Sequence, residues 1–139
     1  MAGQVAKEIL EKWREGFRKE DAESLASLFA EKASFKDPRF PKLHGVETIR
    51  EYYECLLADA GEWESFLFEG PYMYNEDCFS IRTNLRFTWR ENGVRAGIPF
   101  VAFFKVNTDG QIVRYEEYWD CTDALTQIGI DSWVAYEYI

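Results

Sequence analysis

Apolar residues recur at every fourth position near the start of the chain. Val5, Ile9, Trp13 and Phe17, with Leu10 beside them, draw one stripe on a helix of about four turns. Lys7, Glu8, Glu11, Lys12, Arg14, Glu15 and Arg18 fill its other face. Asp21 is placed to cap a second, short helix over Ala22 to Ala30, with Leu25, Leu28 and Phe29 facing inward. Ala33 to Lys36 reads as a short strand stopped by Asp37-Pro38, because a residue before proline is pushed out of the helical region. A loop containing Pro38, Pro41 and Gly45 leads to a third helix, whose stripe is Val46, Ile49, Tyr53 and Leu56 or Leu57.

From Glu62 onward the period changes to two. Trp63 to Tyr74 is a candidate strand, interrupted at Gly70-Pro71, and Asn75-Glu76-Asp77 turns the chain. Ile81, Thr83, Leu85, Phe87 and Trp89 then alternate with Ser80, Arg82, Asn84, Arg86, Thr88 and Arg90. Asn92-Gly93 signals a hairpin into a strand from Val94 to Val106, in which Pro99 implies a bulge or an edge position. Asp109-Gly110 signals another, into a last strand from Ile112 to Cys121. On that strand Val113, Tyr115, Glu117, Trp119 and Cys121 form the more apolar side, expected to face the helices, and Ile112, Arg114, Glu116, Tyr118 and Asp120 the other. A short helix near Asp123 to Ile128 and an aromatic tail (Trp133, Tyr136, Tyr138) follow.

Three helices followed by a four-stranded antiparallel meander make an α+β plan in a single domain, residues 1–139, with 121–139 as the short helix and tail. A strongly bent sheet wrapped on helices makes a cone with an apolar cavity at its open end. The aromatic content of 17% suits such a cavity, and equally a well-filled core. The net charge of −9 speaks against nucleic acid or anionic lipid as a partner, since phosphate binding needs a positive field. No apolar run approaches the roughly 20 residues of a membrane span, and the start lacks a signal-peptide core. Cys55, Cys78 and Cys121 are far apart, with no Cys-x-x-Cys pair and a single histidine, so three reduced thiols in a cytoplasmic protein are expected and no metal site.

Four stretches carry a resemblance: Trp13 to Asp21; Leu28 to Ala33; Asp37-Pro38 through His44-Gly45-Val46 to Tyr53; and Ile112 to Asp120. Together they resemble the nuclear transport factor 2-like superfamily, and within it the SnoaL-like branch, over nearly the whole chain to about residue 125. The resemblance implies a cone-shaped barrel, a strongly curved antiparallel sheet wrapped on three N-terminal helices around a cavity, and a homodimer. The superfamily holds ketosteroid isomerase, limonene epoxide hydrolase, scytalone dehydratase, polyketide cyclases and many binding modules, so it speaks for the fold and not for one activity. Asp37 falls where the isomerase has its aspartate base, and Glu117 matches the hydrolase's catalytic aspartate. Arg82 and Asn84 match the hydrolase's Arg-x-Asp, with a neutral amide where the acid should be. The isomerase's two oxyanion donors correspond to Trp13 and Ala102, and Ala102 offers no donor. The sequence is similar to both enzymes and completes neither.

The residues add their own reading. Asp37 ends a strand before a proline loop, where a carboxylate can overhang a cavity as a general base or merely cap the turn. Glu117 is an acid inside an aromatic wall, to be protonated, hydrogen-bonded or paired with an arginine. Two such acids across one cavity would push their pKa values apart, giving one acid and one base. Trp13, Phe35, Tyr53, Tyr115 and Trp119 are the candidate lining, and His44, just before a helix, is either an orienting donor or a loop contact. The hydrolase resemblance turns Arg82 and Asn84 into the cavity, whereas alternation turns them outward with Arg86 and Arg90. The expected activity is cofactor-free acid–base chemistry on a small hydrophobic carbonyl, alcohol or epoxide compound: isomerisation, dehydration, cyclisation or hydration. The alternative is a non-catalytic ligand-binding or dimeric interaction module, with the aromatic tail covering the cavity mouth or a partner.

Overall fold

The computed structural model of the protein describes residues 2–64 and 69–133. The helix α1 (Ala2–Arg18) buries Ala6, Ile9, Leu10, Trp13 and Phe17, the face that its four-residue period marks. The helix α2 (Ala22–Ala26) is capped by Asp21, whose side chain accepts from the Ser24 N–H at 3.1 Å. It is shorter than the sequence pattern indicates. Phe29 and Ala30 belong instead to strand β1 (Phe29–Lys36), because the Ile112 N–H donates to the Leu28 carbonyl and Phe29 pairs with Ile112. A distant strand here outweighs helical spacing.

The strand β2 (Leu43–His44) leads into α3 (Val46–Asp59), which buries Ile49, Tyr52, Tyr53 and Leu57. The strands β3 (Ala60–Glu64), β4 (Glu69–Asn75), β5 (Cys78–Trp89), β6 (Arg95–Val106) and β7 (Ile112–Tyr118) follow, and α4 (Cys121–Ile128) is capped by Asp120. Among the described residues the seven strands form one curled, unclosed sheet in the order β2-β1-β7-β6-β5-β3, with β4 also paired to β5. The meander over β4 to β7 is antiparallel as its turn signals indicate, but β1 runs parallel to β7, so the sheet is mixed. Of the tail, Trp133 is described, and Tyr136 and Tyr138 lie outside the described residues.

Two details correct the sequence reading, and a third decides between its alternatives. The last strand ends at Tyr118 rather than Cys121, since Asp120 is needed as the α4 cap. Ile112 is fully buried although alternation puts it outside, because the pairing register shifts at this end of β7. Pro99 occupies an edge and no bulge: β6 pairs β7 only from Val101 onward, so its first half has β5 on one side alone. There the Gln127 amide of α4 takes the place of a strand, accepting from the Gly97 N–H and donating to the Gly97 carbonyl, both at 2.9 Å.

Candidate active site

Alternation and parallel register together bring two acids side by side. In the β1–β7 ladder Phe35 stands beside Tyr115 and Lys36 beside Glu116. Two residues beyond the paired rings, Asp37 and Glu117 project from the same face at the same end of the sheet, and both are buried. Ala102 on β6 is the cross-strand partner of Glu117.

Asp37 is fully engaged. Its Oδ1 accepts from the Arg39 backbone N–H (2.8 Å) and Nε (3.0 Å), and its Oδ2 accepts from Arg39 Nη2 and Tyr52 Oη, each at 2.9 Å. Pro38 makes this possible: Phe40 N–H donates to the Asp37 carbonyl, closing a turn with proline at its second position, and the Asp37 side chain clasps the next free N–H. Arg39 folds back over that turn, its side chain 5% exposed, into a bidentate pair. Its guanidinium lies near the rings of Phe40 (4.6 Å), Trp133 (5.0 Å), Trp119 (5.3 Å) and Tyr52 (5.9 Å). A planar, weakly hydrated cation suits such a setting.

Among the described residues Glu117 has two neutral hydrogen-bond donors and no cation bonded to it. Its Oε1 accepts from Tyr115 Oη at 3.0 Å and its Oε2 from Trp119 Nε1 at 2.7 Å. Burial, and after it the negative charge of Asp37, push its pKa up to about 8, against the pull of the Trp119 hydrogen bond, the Arg39 charge and the Tyr115 hydrogen bond. Burial also holds the Tyr52, Tyr53 and Tyr115 phenols well above their ordinary pKa, with nearby carboxylates adding to it, so all three remain neutral. Phe35 wedges between Tyr52 (4.7 Å) and Tyr115 (4.6 Å), fixing the phenols that serve the two acids.

Glu117 and Arg39 open onto a cavity whose other walls include Trp13, Tyr53, Trp89, Trp119 and Trp133. The hollow comprises about 560 Å³ between side chains and the adjoining solvent, of which only about 50 Å³ admits the centre of a water molecule. It is a set of thin crevices between rings. Asp37 does not line it, being screened by Arg39 and Tyr52.

Of the candidate residues, Asp37, Glu117, Tyr115 and Trp119 meet in one hydrogen-bonded neighbourhood backed by Phe35, and Trp13 and Tyr53 line the cavity. His44 does not reach it: it is exposed in β2, paired with Ser34. Arg82 and Asn84 stand exposed on the outer face of β5, Arg82 in an ion pair with Glu69 at 2.6 Å. Alternation therefore prevails over the hydrolase resemblance at these two positions. Sequence reasoning missed Arg39 and Tyr52. Arg39 stands two residues past Asp37 in an Asx-turn spacing that could have flagged it, and Tyr52 sits three residues past Ile49 on the buried face of α3. Among the described residues no group of three or more His, Cys, Asp or Glu side chains is arranged to hold a metal, and no helix is long and apolar enough to cross a membrane.

The sequence profile of the SnoaL-like domain matches residues 10–115. No curated protein matches the sequence. Similar solved structures include a candidate polyketide cyclase of Xanthomonas campestris pv. campestris, 17% identical, TM-score 0.80, covering 92% of this chain and 99% of that one. The epoxide hydrolase/cyclase-like enzyme SalBIII, of pyran ring formation in salinomycin, is 21% identical with a TM-score of 0.74 over 88% of this chain and 97% of its own. A limonene-epoxide-hydrolase-like epoxide hydrolase of Mycobacterium tuberculosis is 13% identical with a TM-score of 0.71 over 91% and 90%. At these identities the likeness concerns the fold.

Proposed function

The chain belongs to the SnoaL-like domain family, and from that premise we propose that it is a cofactor-independent acid–base enzyme acting on a small hydrophobic carbonyl, alcohol or epoxide compound. One observation carries this reading: Glu117 is a carboxyl group in the wall of an apolar cavity with its pKa raised to about 8. Near neutral pH it holds a proton that it can deliver to a substrate oxygen. The carboxylate left behind is received by the Tyr115 hydroxyl and the Trp119 N–H, so the proton can be lost and recovered without a charged partner. Ring formation and epoxide opening, the reactions named for two of the similar structures, both gain from protonating an oxygen.

The working proton then sits on Glu117 and not on Asp37. All the Asp37 contacts are taken by Arg39 and Tyr52, which suits it to holding that arginine beside the cavity. Trp13 and Tyr53 orient the substrate; His44, Arg82 and Asn84 have no part. A homodimer, as the resemblance implies, in the cytoplasm that the three free thiols suggest, would cover the outer face of the sheet, where Tyr72, Tyr74, Phe103 and Tyr118 stand exposed.

Carboxyl ¹³C NMR of the whole chain against pH tests the reading. A Glu117 midpoint near 8 is expected, and one below about 5.5, within the ordinary scatter of glutamates, would remove it. Glu117→Gln should lower turnover of any epoxide or cyclic ketone the protein converts by roughly 10²–10⁴-fold. The thinness of the cavity favours one rival, a binding module with a largely filled interior. That rival keeps the raised Glu117 midpoint, which burial alone can set, and expects no turnover across the same panel.

A further inference from the structure

The cavity wall contains a second polar feature that the acid pair leaves unused. Trp89, the last residue of β5, is 4% exposed, and its indole Nε1–H has no hydrogen-bond partner among the described residues; the same holds for the indole of Trp133. Their neighbours differ. Trp63 Nε1 donates to the Ala60 carbonyl at 3.0 Å and Trp119 Nε1 to Glu117 at 2.7 Å. A buried polar group without a partner is rare and calls for a reason, and an indole N–H can only donate, so what it lacks is an acceptor.

The three indoles form a chain. Trp119, bonded to Glu117, meets Trp133 edge-on at 5.6 Å, and Trp133 meets Trp89 at 6.1 Å. Trp89 thus lies two ring contacts from the acid, and Trp133, outside any helix or strand, fills the space between. With only about 50 Å³ open to a water centre, a ring compound enters only if a wall residue moves. Among the described residues the Trp133 indole makes no hydrogen bond and is held by its contacts with Trp119, Trp89 and the Arg39 guanidinium. The cation near the cavity, Arg39, is paired with Asp37, so the surroundings suit a neutral guest.

We propose that the cavity takes a neutral, ring-sized compound with two acceptor oxygens, one meeting Glu117 and the other, a carbonyl, ether or hydroxyl oxygen, held by the Trp89 indole N–H after Trp133 has swung aside. This rests on reading the cavity as the substrate site, and names Trp89 as the residue that selects for the second oxygen.

The test uses the whole ¹⁵N-labelled chain with two probes of similar shape, 6-methoxy-2-tetralone and tetralin. The Trp89 indole resonance, assigned by its loss in Trp89→Phe, is expected to shift downfield with the oxygenated probe and to stay in place with tetralin. Trp89→Phe, which keeps a ring and loses the N–H, should weaken the oxygenated probe roughly 3- to 10-fold and leave tetralin unchanged, as one neutral hydrogen bond predicts. Failure of both probes to bind, an equal response to both, or equal weakening of both in Trp89→Phe would overturn the proposal. Should that variant not fold, Trp89→Tyr or the indole's NOEs to its own backbone supply the assignment, and the wild-type shifts decide. The Trp89 response should persist in Glu117→Gln. If Glu117 titrates ordinarily while the Trp89 response appears, the acid–base reading falls and the ligand site stands; a raised Glu117 midpoint without a Trp89 response removes the second-oxygen site only.

Discussion

Asp37 and Glu117 end neighbouring parallel strands on one face of one sheet, yet they meet burial in opposite ways. Asp37 is surrounded by donors from a guanidinium, a backbone N–H and a phenol, and exists as half of an ion pair. Glu117, on the next strand, has two neutral donors and the field of Asp37 against it, and it keeps its proton to about pH 8. A carboxyl group taken out of water either acquires a counter-ion or gives up its charge. Here a single arginine serves one of two acids, and that asymmetry separates an ion-paired carboxylate from a carboxyl group held by neutral donors.

Removing the arginine should break the contrast most severely. Arg39→Met leaves the Asp37 carboxylate buried without its cation, and urea unfolding at pH 7 is expected to show a loss of about 3–5 kcal/mol. Adding Asp37→Leu should restore much of it. A loss below about 1 kcal/mol would mean that Asp37 does not depend on Arg39.

The next effect is in the pH dependence of stability. An unfolded glutamate ionises near 4.5, whereas Glu117 in the fold ionises near 8. Between these values the unfolded chain binds fewer protons than the folded one, so stability from this group is fully present below about pH 4.5 and is lost as pH rises to about 8. The slope approaches about 1.4 kcal/mol per pH unit in that window, and Glu117→Gln should flatten it. Unfolding curves at pH 5, 6.5 and 8 measure both; an unchanged slope in the variant would contradict the raised pKa.

The smallest effects sharpen the same distinction. Tyr52→Phe removes a donor from a charged acceptor and should cost about 1.5–3 kcal/mol at pH 6, while Tyr115→Phe removes one from a neutral acid and should cost about 0.5–1.5 kcal/mol. Tyr115→Phe should also move the Glu117 midpoint upward, since that hydrogen bond favours the anion. Equal costs at pH 6 would indicate equal charge on the two acids.

Much of this was legible along the chain. The α1 stripe, the Asp21 cap, the turn at Asn92-Gly93 and the inward set of β5 follow from local periodicity and turn chemistry, and they hold in the structure. The inward side of β7 carrying Tyr115 and Glu117 was legible for the same reason. The early end of α2 and the burial of Ile112 were not, because each depends on which distant strand pairs there and where its register slips. His44 had the chemistry of a site residue and no place in it, since β2 leaves it in solvent.

The sequence by itself determined the elements, the faces they bury and the presence of two acids among aromatic residues, because period and turn chemistry act over a few residues. The tertiary structure alone decided that β1 lies parallel to β7 and so carries Asp37 to the side of Glu117. It also decided that Arg39 folds onto one acid and leaves the other to neutral donors. Charge and burial act through space, and what surrounds a carboxyl group there sets its protonation.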